Sequence, residues 1–188
     1  MEKTRTQYPV VIDRCKSLFL AKAQDYGTSW TILRMPSVTD QIFIKAERIR
    51  SIQEKQVNKV GESIEGEFIA IVNYCVIALI LWDMRELTIA EKEAGLQPIS
   101  TLEAAYDKQI QAAFDTMEKK NHDYGEAWRS MRVSSMTDLI LMKIMRLKQM
   151  EDNQGQVKVS EGPDANYIDM LNYAVFCLIL MGETTETK

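Results

Sequence analysis

Residues 68–82 read FIAIVNYCVIALILW, and residues 167–181 read YIDMLNYAVFCLILM. Both runs are strongly apolar and carry an amide near the middle, Asn73 in one and Asn172 in the other, each followed by tyrosine. A helix that is apolar on nearly all sides lies either in a protein core or in a membrane. These runs fall short of the ~20 residues that a bilayer span requires. An amide in mid-helix is costly in lipid, whereas neighbouring helices of a bundle can satisfy it. They are therefore read as two buried core helices, with no membrane partner.

Upstream of each run the chain repeats itself at a spacing of about 98 residues. The first copy carries Asp25-Tyr26-Gly27, Trp30, Arg34, Ser37, Thr39-Asp40, Lys45 and Arg48, then Glu62, Glu65 and Asn73-Tyr74. The second carries Asp123-Tyr124-Gly125, Trp128, Arg132, Ser135, Thr137-Asp138, Lys143 and Arg146, then Glu161, Asp164 and Asn172-Tyr173. Self-similarity at a fixed period marks a duplicated structural unit. Residues 1–87 form the first repeat, 88–100 a connector with Gly95 and Pro98, and 101–188 the second repeat.

Each repeat reads as three helices. The first spans about residues 10–26, with Ile12, Cys15, Leu18, Phe19 and Lys22 spaced for one face, and its counterpart spans 102–124. Gly27 and Gly125 follow as left-handed caps. The second helix of each repeat begins after Ser37 or Ser135, where Asp40 or Asp138 suggests a capping pair. These helices end near Gln56 and near residues 153–155, and the third helices start near Ser63 and Pro163. Three helices could not bury so apolar a third member alone, so the repeats are expected to share one core. The fold class is all-α, a pseudo-two-fold bundle of about six helices from an internal duplication.

With 188 residues, 46% of them hydrophobic, the chain has ample material for such a core. A net charge of −4 argues against a broad electrostatic footprint for duplex nucleic acid. Cys15, Cys75 and Cys177 lack metal-ligand spacing and are read as reduced core residues of a cytoplasmic protein. No signal-peptide pattern is read at the N-terminus. Glycine-rich phosphate loops, zinc spacings and positioned nucleophiles are absent from the sequence. His122, the only histidine, faces Gln24 in the other repeat and is not read as catalytic.

The candidate chemistry lies in the repeated polar set. Lys45 and Arg48, like Lys143 and Arg146, stand three apart on one helix face and can clamp a phosphate. Glu62 with Glu65, and Glu161 with Asp164 and Asp169, are candidate magnesium ligands, because that ion takes oxygen donors and retains substrate phosphates. Tyr26, Trp30, Tyr124 and Trp128 can stack on a base, with Arg34 and Arg132 nearby for phosphate. Asn73 and Asn172 either contact ligand or bond within the core. Asp25 and Asp123 are the candidate catalytic acids, as general base or metal ligand, with pairing to arginine as the alternative. The opposite reading of the charges is an ion network locking adjacent helices. Asp169 faces Ala70 in the aligned first repeat, which favours the second repeat as the active one.

These motifs resemble the nucleotide modification associated domain of the first type, over residues 17–82 and 116–181. The resemblance implies an α-helical bacterial or phage domain acting around modified nucleotides. A looser similarity is to the all-α nucleoside triphosphate pyrophosphohydrolases, which hold magnesium with carboxylates from neighbouring helices. Here Lys-x-x-Arg stands where one of that family's acidic pairs would fall. The expected function is binding of a small nucleotide or nucleotide-like phosphate, with magnesium-dependent triphosphate hydrolysis as the enzymatic version and no organic cofactor. The alternatives are a non-catalytic nucleotide-sensing module and a structural interaction bundle. The chain is expected as a monomer built as a fused pseudo-dimer, or as a homodimer.

Overall fold

The computed structural model describes residues 2–57, 61, 63–153 and 162–186. Seven α-helices follow in order: α1 Glu2–Tyr26, α2 Met35–Lys55, α3 Ile64–Asp83, α4 Ile89–Gly95, α5 Ile99–Tyr124, α6 Val133–Asp152 and α7 Pro163–Glu186. Short 3-10 turns, Ser29–Ile32 and Ala127–Ser130, link α1 to α2 and α5 to α6. Among the described residues there is no strand. The bundle is all-α, as the sequence indicates, with one more helix than expected.

The helices form three layers of symmetry-related pairs. Helices α3 and α7 pack on each other at the centre, α2 and α6 cover one side, and α1 and α5 cover the other. The central pair is therefore enclosed from both sides, which is why its sequences are apolar nearly all round. By length and composition alone these two helices could cross a membrane, yet most of their residues are buried inside the bundle. Val72, Cys75, Val76 and Leu79 of α3 join Leu171, Ala174, Val175 and Leu178 of α7 in one hydrophobic cluster. Both halves contribute to that single core. All three cysteines lie in it or beside it without a disulfide.

Polar bonds between the halves obey the pseudo-dyad. Tyr106 of α5 donates to Asn73 Oδ1 at 3.0 Å, and Tyr8 of α1 donates to Asn172 Oδ1 at 2.8 Å. Each asparagine in turn donates, at 3.0 Å, to a carbonyl of its own half, Cys15 or Ala113. A lone buried amide would cost about 1–3 kcal/mol. Here Asn73 and Asn172 each tie the opposite half's outer helix to the centre. On the other side Thr39 meets Glu151 at 2.6 Å, while its mate Thr137 meets Gln53 at 3.1 Å. Lys148 likewise pairs with Asp40, and Arg50 reaches Asp138 at 4.0 Å.

The helix boundaries differ from expectation in five places, the smallest being α5, which starts at Ile99 and not at Leu102. Helix α2 starts at Met35, not after Ser37, and α6 at Val133, not after Ser135; their N-caps Arg34 and Arg132 make no side-chain cap bond. Proline in the first turn of α2 needs no N–H partner, so Pro36 lets the helix begin before the serine. Asp40 and Asp138 therefore bond across the dyad and cap nothing. The connector holds α4, begun by a capping box in which Thr88 and Glu91 satisfy each other's backbone. Helix α1 runs back through Pro9 to Glu2, because only one carbonyl, that of Arg5, loses its partner to the proline.

Candidate functional site

Gly27 and Gly125 take φ of 62° and 61°, the left-handed conformation that ends α1 and α5. Each cap turns the chain so that a tyrosine precedes the glycine at the surface and a tryptophan follows in the 3-10 turn. Tyr26 and Tyr124 are 71% and 73% exposed. The two tryptophans then part company. Trp128 is buried, its ring parallel to Phe176 at 4.1 Å, with the Arg129 guanidinium 4.4 Å from its centroid. Trp30 is only partly buried, tilted against Phe19 at 6.4 Å. At the positions of Phe176 and Arg129 the first half carries Ile77 and Thr31.

A cleft of about 460 Å³ opens beside Trp30, between α1, the first 3-10 turn and α3. Lys22, Tyr26, Trp30, Ala70, Asn73 and Tyr74 are among its lining residues. Gly66 and Ala70 keep the α3 wall low. Lys22 is exposed and, among the described residues, has no ion-pair partner. Its counterpart Lys120 binds Asp169, the residue that replaces Ala70 in the second half. One aspartate thus neutralises in one half the cation that the other half leaves available.

The expected phosphate clamps are largely engaged in ion pairs. Lys45 lies 3.3 Å from Glu67 Oε2, short of hydrogen-bonding geometry, and Arg48 binds Glu67 Oε1. In the second half Lys143 binds Asp169 Oδ2 at 2.6 Å, both residues more than nine-tenths buried. Arg146 is exposed, and among the described residues no ion pair engages it. The residue missed from sequence is Glu67. It stands six positions before Asn73, whereas Asp169 stands three before Asn172, so aligning the repeats sets Glu67 against Asn166 and hides their common role.

Among the described residues the proposed metal ligands Glu65, Asp164 and Asp169 do not converge. Glu65 is held by Arg14 at 2.5 Å, Asp164 is exposed, and Asp169 sits between two lysines. Among the described residues no group of three or more His, Cys, Asp or Glu could hold a metal ion. Glu62 and Glu161 lie outside the described residues. Asp25 and Asp123 are both exposed at the helix ends; Asp123 contacts His122 at 3.2 Å, and no ion pair joins Asp25 to Arg34. Arg34 and Arg132 are exposed at the starts of α2 and α6.

Residues 22–81 and 120–181 match the family described as Nucleotide modification associated domain 1. The chain belongs to that family. Both copies of the family domain fall on the pseudo-dyad-related units, from Lys22 or Lys120 on the outer helix through the central helix. No curated protein and no solved structure matches the chain significantly.

Proposed function

We propose that this member of the nucleotide modification associated family binds a nucleotide in the first-half cleft. The base lies against Trp30 and Tyr26, and the phosphate meets Lys22. The observation that carries this reading is the asymmetry of Lys22 and Lys120: the first faces Ala70 in an open cleft, the second is paired with Asp169. A cleft of this size accommodates a ligand of nucleotide dimensions, and aromatic walls with a few polar groups are the usual composition of such sites. The reading puts the ligand in the first half, opposite to the half favoured by counting carboxylates. The described carboxylates do not fit a resident magnesium site, so no hydrolytic step is assigned. Among the functional classes, a nucleotide-sensing or accessory module has the stronger support, because Lys45, Arg48 and Lys143 serve the ion network of the core.

Thermal shift and calorimetric titration with ordinary and modified nucleoside mono-, di- and triphosphates, with and without magnesium, test the reading. A nucleotide should stabilise the native chain. Ala70→Asp, which installs the second half's acid opposite Lys22, should abolish that stabilisation, and so should Tyr26→Ala. Tyr124→Ala, the same change at the dyad-related position, should leave it intact. Failure of every nucleotide to bind, or sensitivity to Tyr124 in place of Tyr26, would sink the proposal.

A further inference from the structure

A second cleft, of about 270 Å³, lies where the start of α2, the end of α3, α6 and the start of α7 meet. Met35, Pro36, Trp82, Met150, Glu151 and Tyr167 are among its lining residues. Its walls are flat and apolar, of proline, methionine and indole, the surfaces against which a planar ring packs best. Into this setting the fold places one carboxylate. Glu151 Oε1 accepts from Thr39 at 2.6 Å, and the Thr39 hydroxyl lies 2.8 Å from that of Tyr167. Among the described residues Glu151 Oε2 has no hydrogen-bond partner. Burial raises the Glu151 pKa, with Asp40 adding to the rise and Thr39 and Lys148 opposing it.

The dyad supplies an internal control. At the corresponding place across the axis Thr137 is met by Gln53, and Phe68 stands where Tyr167 does. Structural support of the threonine is thus achieved there by a neutral amide and a plain ring. The charged and hydroxylated versions occur only on the side with Trp82 and the two prolines, Pro36 and Pro163, in place of Met181, Ser134 and Ile64. A carboxylate partly stripped of water, with an oxygen unengaged, is relieved by paired N–H donors on one rigid edge.

We propose that this cleft binds a planar heterocycle bearing two adjacent N–H donors, the edge of a 2-amino-4-oxopyrimidine, with both donors on the Glu151 carboxylate. The cavity is smaller than the ~300–1,000 Å³ of sites for drug-sized ligands, which limits it to a single ring system. The ring lies between the Met35 and Met150 side chains, beside Trp82. A ring that offers one donor and one acceptor, such as 2-aminopyrimidine, matches a carboxylate poorly. The site is separate from the first-half cleft and does not depend on the nucleotide reading of that cleft.

Isocytosine is the probe, followed by the methyl signals of Met35 and Met150 and the indole signal of Trp82 in NMR titrations of the full chain. All three signals should shift at millimolar isocytosine, and 2-aminopyrimidine should bind about tenfold more weakly. Glu151→Gln keeps the volume, carries the residue found at position 53, and should weaken isocytosine by about tenfold or more, because an amide N–H then faces a donor. The native titration stands even if that variant folds poorly. Absence of shifts at these residues would overturn the proposal, as would equal binding of the two heterocycles or unchanged affinity in the variant.

Discussion

The two halves start from one motif and put it to opposite uses at the turn after the outer helix. In the second half Trp128 is stacked on Phe176 and covered by Arg129, which is itself held by Thr4, Gln7 and Glu183. In the first half the same tryptophan borders a cleft, because Ile77 and Thr31 replace its two covering groups. The acid follows the same division: Asp169 closes the second half by binding Lys120 and Lys143, whereas Lys22, with Ala70 beside it, has no ion-pair partner among the described residues. Duplication therefore separates two tasks that a single copy would have to combine. One half is a closed brace for the bundle, and the other retains an opening.

The sharpest way to break this comparison is to remove the central acid of each half. Asp169→Ala strands Lys143, which is only 7% exposed, and should cost about 3–5 kcal/mol in urea unfolding. Glu67→Ala should cost less, since Lys45 and Arg48 retain more access to water. A larger loss at Glu67 would reverse the assignment of brace and opening. Next in size are Tyr8→Phe and Tyr106→Phe, each leaving a buried asparagine oxygen without its donor, at about 1–3 kcal/mol. The two losses should agree closely, because this feature is shared by both halves; a clear inequality would show that the dyad is broken there too.

Smaller again are Gly27→Ala and Gly125→Ala, at about 1 kcal/mol each. An added Cβ meets nothing within 4 Å at either site, so the cost is wholly that of positive φ, and equal values are expected by thermal unfolding. The smallest effect concerns pH. Burial raises the Glu151 pKa, so the folded chain holds that proton more tightly than the unfolded one, and the group's contribution to stability falls as pH rises through the raised value. Glu151→Gln should therefore gain stability relative to the native chain as pH rises above the ordinary glutamate value of about 4.3. Denaturant titrations across that value check the sign, and a gain in the acid direction would refute it.

Most of the fold was legible because periodicity and capping are local. Gly27 and Gly125, the apolar third helices and the repeat itself point to a duplicated bundle from the sequence alone. The starts of α2 and α6 were misread, since Ser37 and Ser135 resemble caps; Pro36 permits the earlier start of α2, and α6 begins as early without a proline. Helix α4 did leave a signal, Thr88 with Glu91, inside a stretch that looked like a plain connector. The site was far less legible. Asp169 against Ala70 is visible in an alignment of the repeats, but Glu67 meets Lys45, the counterpart of Lys143, from three positions earlier, and the alignment conceals it. The mismatch was read as a difference in metal ligands; among the described residues it also gives Lys120 an acid partner where Lys22 has Ala70 beside it in the cleft. Thr39 stood in the repeated set without a partner, and Glu151 gave no sign at all, the two being far apart in the chain and joined only by the packing of α2 on α6.

The bond from Tyr8 to Asn172 spans 164 positions of the chain, so α1 is synthesised well before α7 supplies its tyrosine with a partner. Until α7 emerges, one face of α3 has nothing to pack against, and the nascent first half exposes the apolar surface most prone to association. The order of synthesis thus makes the second repeat a completing piece: the chain carries its own partner, delivered late but always at hand.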